Sequence, residues 1–244
     1  MNWHTDISHS WQGRRLRVKI PFSRAGVAHH VWIGGGDISV LIDAGDGVLR
    51  DLLERDIPPE EIDAVFITHG HFDHMGGVHS LLGFMRMVGR ETTLPVYVPA
   101  GCREVIECVE SFVKCYADTV PFKIDLVELA PNQRVSVCEL SVVSYPVVHC
   151  GSIVGSEVLD PIPAFGYRIT LGDETVAVTG DTGDCESLRA LVKDADLAII
   201  EATYLNSHGK DRRLLEAVHL SEDIAGKIGE SAKECILVHK ARRP

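Results

Sequence analysis

Thr68-His69-Gly70-His71-Phe72-Asp73-His74 is the stretch that decides how this chain is read. Before it runs Ile62-Asp63-Ala64-Val65-Phe66-Ile67, an apolar run of strand length, and after it Met75-Gly76-Gly77-Val78 opens a helical pattern. The histidines therefore belong on a strand-to-helix turn. Three imidazoles and a carboxylate so close together bury poorly as a structural device, because each keeps polar atoms that need partners. A bound metal ion satisfies all four at once.

Working outward, the 244 residues, 45% of them apolar, predict one domain spanning 1–244, with no segment of disordered composition. A net charge of -11 argues against a broad basic surface for nucleic acid, since phosphate affinity is mostly electrostatic. The seven cysteines include no C-x-x-C pair and are odd in number, which predicts reduced thiols. Met1-Asn2-Trp3-His4-Thr5-Asp6 lacks a basic segment followed by an apolar one, and no apolar run reaches bilayer length, so a cytoplasmic protein without membrane contact is expected.

Upstream of the histidines, residues 14–22 alternate basic and apolar side chains as a solvated edge strand would. Two further strands, 30–33 and 38–42, flank the turn signal Gly34-Gly35-Gly36-Asp37, and the second runs into Asp43. A helix is predicted over 48–55. Downstream, the periodicity predicts helices over 77–88 and 103–116 around a strand at 96–98. Cys102, Cys108 and Cys115 read as core residues, because C-x5-C-x6-C does not match zinc-ligand spacing.

Residues 122–148 are strand-like, turn at Asn132-Gln133 and end at His149. A hairpin about Gly172-Asp173 joins 167–171 to 175–178, which runs into Thr179-Gly180-Asp181-Thr182-Gly183. Helix 186–193, strand 197–200, helix 221–228 and strand 235–238 close on His239. Strands followed by mixed helices and strands, in two similar halves, predict an α/β fold of two packed sheets with helices outside. Each singled-out polar residue follows a strand's C-terminal end, so His69, His71, Asp73, His74, His149, Asp181 and His239 are expected to converge. Taken alone, His149 or His239 would be more often a satisfied surface or core histidine.

His-x-His-x-Asp-His, a distant histidine after a strand, the aspartate of Gly-Asp-Thr and a last histidine together resemble the metallo-β-lactamase superfamily, whose fold is a four-layer αββα sandwich. That resemblance implies a site for two zinc ions, with manganese as the alternative. His69, His71 and His149 would hold one ion, Asp73, His74 and His239 the other, and Asp181 would bridge them. Imidazole and carboxylate suit zinc, and metal binding lowers the pKa of a bound water to about 7, which supplies a bridging hydroxide as nucleophile. Asp73 would orient that nucleophile and take its proton. Asp43 is expected one shell out, steering a ligand histidine through a hydrogen bond.

Within the superfamily the chain most resembles the ribonuclease Z branch, tRNA 3′-end endonucleases, and their phosphodiesterase relatives. Leu41-Ile42-Asp43-Ala44-Gly45-Asp46-Gly47, Pro146-Val147-Val148-His149, Ala164-Phe165-Gly166-Tyr167-Arg168, Glu201-Ala202-Thr203, His219-Leu220-Ser221 and Leu237-Val238-His239 carry the likeness. By it, His219 held by Glu201 would protonate the leaving oxygen or stabilise charge on the phosphate; the competing reading makes His219 a neighbour of the helix cap at Ser221. Ile200 stands where the branch has a histidine, and Ile20-Pro21-Phe22-Ser23-Arg24 replaces its glycine-rich start.

Where the bacterial enzymes carry a long tRNA-gripping arm, Leu171-Gly172-Asp173-Glu174 is only a hairpin turn, and the chain ends at Pro244, soon after His239. With the acidic charge, this moves the expected substrate from precursor tRNA towards a smaller phosphodiester. Arg24, Lys210, Arg212, Arg213, Arg242 and Arg243 are the candidate phosphate contacts, with 207–213 read as a loop near the site. A homodimer is the assembly the resemblance implies. Two alternatives stay open: a hydrolase of lactones, thioesters or β-lactams on the same metals, and a degenerate fold member that binds RNA or a partner without chemistry.

Overall fold

The computed structural model describes residues 8–154 and 157–241; Met1–Asp6, Arg242 and Arg243 lie outside the described residues. Strands β1 (His9–Gln12), β2 (Arg17–Arg24), β3 (Ala28–Gly35), β4 (Ile38–Ile42), β5 (Ala64–Phe66), β6 (Leu94–Pro99) and β7 (Ile124–Leu129) form a seven-stranded sheet in chain order. Next along the chain come β8 (Arg134–Val137), β9 (Leu140–Pro146) and a two-residue antiparallel pair, β10 (Ile153–Val154) and β11 (Glu157–Val158). The remaining strands are β12 (Phe165–Leu171), β13 (Glu174–Val178), β14 (Leu197–Glu201) and β15 (Glu234–Val238). The second sheet has six strands in the order β15-β14-β13-β12-β9-β8.

Strand alternation sorts the side chains into layers. Val40 and Ile42 of β4 meet Tyr167, Ile169, Val176, Val178, Leu197 and Ile199 in the core between the sheets. Leu41, one residue out of phase, joins Val65, Val96 and Val98 on the opposite face. There they pack under α1 (Val48–Leu53), α3 (Val78–Met87) and α4 (Arg103–Cys115). Ala177, Ala198 and Ile200 likewise face α5 (Glu186–Val192) and α7 (Glu222–Gly229) on the far side of the second sheet. The result is the four-layer αββα sandwich. Ile200 is buried among those helices.

Strand direction puts the site at one edge. β4 to β7 run parallel, as do β13 to β15, and β9 shares the direction of β13 because each is antiparallel to β12. Asp43 follows β4, the histidine cluster β5, His149 β9, Asp181 β13 and His239 β15, while Glu201 closes β14. Tyr167 Oη donates to Ile67 O (2.7 Å) and Phe165 N to Thr68 O (2.9 Å), pinning the histidine loop across the sandwich. Gly180 (φ 61°) meets the same loop so closely that a Cβ there would lie 2.8 Å from Thr68 Cβ.

Three sequence expectations need correction. The segment 14–22 is no edge strand, because β1 pairs outside β2; its basic residues Arg17 and Lys19 alternate outward to lie over the Trp32 ring. Residues 207–213 are only partly loop, since α6 (Arg212–Ala217) starts within them, capped by Asp211, which accepts from Arg213 N (2.9 Å). All seven cysteines are free, but of the three around α4 only Cys102 is a buried core residue; Cys108 is half-buried and Cys115 exposed. The remaining helix, α2 (Phe72–Met75), carries the histidine motif itself.

Candidate metal centre

Each histidine of the cluster has one ring nitrogen fixed by an outer partner, which leaves the other free to face inward. His69 Nδ1 donates to Thr68 Oγ1 (3.0 Å), His71 Nε2 to Gly151 O (3.0 Å) and His149 Nδ1 to Val218 O (2.7 Å). Their remaining nitrogens converge: His71 Nδ1 lies 3.1 Å from His69 Nε2 and 3.0 Å from His149 Nε2. Three lone pairs this close, those of His69 and His149 buried and that of His71 half-buried, repel unless a cation sits among them. Tetrahedral zinc with Zn–N of about 2.0–2.1 Å would space its nitrogens by about 3.3 Å, close to what is found.

A second group forms beside it. Asp43 Oδ2 accepts from His74 Nδ1 (2.7 Å), and Asp43 is itself held by the Thr68 N–H (2.7 Å) and Thr68 hydroxyl (2.8 Å). The free His74 Nε2 lies 3.2 Å from His239 Nε2, which is also 3.2 Å from Asp73 Oδ2. Gly26 N, in the β2–β3 turn, donates to the same Asp73 oxygen (2.8 Å). Asp43 and His239 both adopt left-handed backbone conformations, φ 62° and 56°, unusual away from glycine. His239 is braced there at both of its backbone polar groups: its N–H donates to Ser23 Oγ (2.9 Å), and Thr203 Oγ1 donates to its carbonyl (3.0 Å).

Asp181 sits between the two groups. Oδ2 is 3.9 Å from both His69 Nε2 and His149 Nε2, and Oδ1 is 3.3 Å from His74 Nε2 and 3.2 Å from His239 Nδ1. Oδ1 is buried without a hydrogen-bond partner among the described residues, an orphaned anionic oxygen aimed at the centre. The donor set, its spacing and this orphan fit divalent metal ions, and the His/Asp cluster is able to bind them.

Electrostatics separate the ligands. Burial holds His69 well below its ordinary pKa, helped by His74 and His149, and burial brings His149 down to about 3, so both are neutral donors. Burial opposes charge on His74 as well, but the Asp181 and Asp43 carboxylates outweigh it and raise His74 well above its ordinary value. Burial alone would raise Asp181 and Asp73; nearby imidazoles reverse this and hold both well below the usual carboxylate range.

Beside the cluster, His219 Nδ1 donates to Glu201 Oε1 (2.9 Å) and lies 3.8 Å from Asp181 Oδ2. Glu201 also accepts from the N–H groups of Thr182 (3.2 Å), Leu220 (3.1 Å) and Thr203 (2.9 Å), which lock its carboxylate. Burial disfavours charge on His219, yet Glu201 and Asp181 prevail and raise it to about 9. Ser221 takes the N-cap backbone position of α7 without a side-chain capping bond. Among the expected phosphate contacts, Arg212 pairs with Glu216 (2.5 Å) and Arg213 with Asp211 (2.7 Å), while Lys210 Nζ rests 4.4 Å above the Tyr204 ring. Arg24 closes β2, next to the turn that reaches Asp73.

Several contributors escaped the sequence reading. His29 is buried 5.3 Å from the His74 ring and 6.0 Å from that of His239, with Nδ1 2.8 Å from Ser23 Oγ. The adjacent pair His29-His30 in a strand was the available signal for it; Ser23 and Gly26 offered none.

A family model described as Beta-lactamase superfamily domain matches residues 39–239. The chain belongs to the beta-lactamase superfamily. Ribonuclease Z of Methanothermobacter thermautotrophicus is 29% identical, over 83% of this chain and 77% of the relative. Ribonuclease Z of Thermococcus sibiricus is 28% identical, over 86% of this chain and 78% of the relative. The metallo-beta-lactamase fold protein YhfI of Bacillus subtilis superposes with a TM-score of 0.75 at 26% identity, covering 94% of this chain and 87% of that one. Short-form human tRNase Z shares the fold, with a TM-score of 0.76 at 20% identity and 93% of each chain covered. Within the superfamily this chain is a ribonuclease Z-like, metal-dependent hydrolase.

Proposed function

We propose that residues 1–244 act as one domain, a binuclear phosphodiesterase of the ribonuclease Z type, with zinc as the metal and manganese as its alternative. The observation that carries this is the Glu201–His219 pair, 2.9 Å apart and set against Asp181 at the edge of the ligand cluster. His69, His71 and His149 would hold one ion and Asp73, His74 and His239 the other, with Asp181 shared. Such ions supply Lewis acidity and lower the pKa of nearby water towards neutrality.

The chain's own groups do the rest. Asp73, kept ionised by its imidazole neighbours and positioned by Gly26 N, orients the attacking water and accepts its proton. Asp43 fixes the His74 ring through Nδ1. His219, charged at neutral pH and anchored through Nδ1, gives its Nε2 proton to the leaving oxygen as the bond to phosphorus breaks.

Among phosphodiesters, precursor tRNA is the substrate named by the relatives' class. A small phosphodiester is favoured here because β12 and β13 are joined by a tight turn and the chain carries a net charge of -11. A cytoplasmic homodimer is part of the proposal; no described helix is long and apolar enough to cross a membrane. The test is turnover of bis(p-nitrophenyl) phosphate by metal-loaded protein alongside a panel of lactone, thioester and β-lactam substrates. Metal-dependent release of p-nitrophenol is expected, with His219→Ala lowering turnover of a diester that has an alkyl leaving group far more than that of the nitrophenyl ester; faster turnover of the carbonyl panel would reverse the reading.

A further inference from the structure

Large apolar side chains left in solvent are few among the described residues, and several stand on the segments that carry or adjoin the candidate ligands, Phe72 at the start of α2 among them. Phe72, 62% exposed, lies between the candidate ligands His71 and Asp73. Val27 follows Gly26, whose N–H bonds Asp73, and Leu205 follows Tyr204, whose ring stands edge-on 5.9 Å from that of His219. Leu159 lies on the extension that leaves from His149, with its N–H donating to Ser152 O (3.0 Å).

Unpaired cations are few on the same rim among the described residues, where Arg24 beside the turn that reaches Asp73 is one. Arg212 and Arg213 are matched by Glu216 and Asp211, which leaves the Lys210 ammonium over Tyr204 without a carboxylate partner among the described residues. A polynucleotide bound through many phosphates would need several unpaired cations along its path. Two unpaired cations there among the described residues, Arg24 and Lys210, and an apolar, aromatic rim suit a single phosphate carrying a flat organic group.

Resting on the phosphodiesterase reading above, we infer that the substrate is a small phosphodiester with an aromatic substituent of nucleobase type. Phe72 is then a specificity residue whose ring stacks on that substituent. Lys210 meets the phosphate side of the same ligand. Stacking of one base on an aromatic side chain is worth about tenfold or more in affinity, so the effect is measurable.

The test compares p-nitrophenyl thymidine 5′-phosphate with methyl p-nitrophenyl phosphate, which share a leaving group and differ in the other substituent, and includes precursor tRNA. In metal-loaded wild type, kcat/KM for the nucleoside ester should exceed that for the methyl ester by about tenfold or more. Phe72→Ala should cut this ratio about tenfold, mainly through KM, and Phe72→Tyr should preserve it. Calorimetry should show Kd for thymidine 5′-monophosphate rising by a similar factor in Phe72→Ala. A ratio near one in wild type, a ratio unmoved by Phe72→Ala, or a higher kcat/KM for precursor tRNA would overturn the inference. Turnover of the methyl ester without preference would leave phosphodiester hydrolysis standing and remove only this step; turnover of carbonyl substrates alone would remove both.

Discussion

The two halves of the ligand cluster are built differently. In the three-histidine corner, His69, His71 and His149 are anchored by neutral acceptors: a threonine hydroxyl and the carbonyls of Gly151 and Val218. In the aspartate corner, His74 is anchored by the Asp43 carboxylate, and His239 is held in a left-handed conformation by Ser23 and Thr203. Burial, with no carboxylate anchor to oppose it, leaves His69 and His149 uncharged, whereas the carboxylates around His74 outweigh burial and favour its protonated form. An ion entering the aspartate corner therefore displaces a proton, and one entering the other corner does so at neither His69 nor His149. The aspartate corner also depends on partners far away in the chain.

Removing what the corners share gives the largest effect. Asp181→Asn should abolish phosphodiester hydrolysis and weaken both metal equivalents by more than the roughly 10–100-fold typical of losing an outer-shell partner; calorimetric titration reads both. If only one equivalent weakened, Asp181 would belong to one corner. His219→Ala should cost about 10²–10⁴ in kcat while elemental analysis finds the metal content of both corners unchanged. Loss of metal would make His219 a ligand rather than an acid.

The next two substitutions separate the corners. Asp43→Asn leaves a hydrogen-bond acceptor but removes the charge behind His74, so one of the two equivalents should weaken about 10–100-fold while the other stays. Equal weakening of both would erase the distinction. Ser23→Ala removes one bond to the His239 N–H, worth about 1 kcal/mol. A several-fold weakening of the same equivalent is expected, and none of the other.

The smallest expected effect comes from acid. The Glu174 carboxylate accepts from the N–H groups of Arg14 (2.8 Å), Arg15 (2.7 Å) and Leu16 (2.7 Å), just ahead of the strand that carries Ser23. Burial alone would raise its pKa, but those backbone bonds prevail and lower it. A carboxyl lowered on folding contributes stability above its unfolded value, about 4.3, which is lost as pH falls through the folded value. The Tm difference between wild type and Glu174→Gln should therefore be full near neutrality and shrink as pH drops below about 4. A difference constant with pH would assign the effect to packing.

How much of this could be read in the sequence follows from the range of the forces involved. The layers were legible because Val40-Leu41-Ile42 and Val176-Ala177-Val178 alternate between two apolar faces, a local pattern. The seven converging side chains were legible because each follows a strand, and parallel strands bring those ends to one edge. What stayed hidden depends on distance or brevity. Ser23 meets His239 from 216 positions away, with no spacing to betray it. The six residues of α6 are too few for a helical period to stand out. The alternation in β2 reports which face of the sheet is wet, and it cannot tell an edge strand from an inner one.

The central claim is that two ions and the Glu201–His219 pair act together on a phosphodiester. Its most direct test is hydrolysis of bis(p-nitrophenyl) phosphate followed as zinc is titrated into metal-free protein. The account predicts little activity through the first equivalent per chain and a rise to a plateau at the second. Full activity at one equivalent, or none at two, would contradict it.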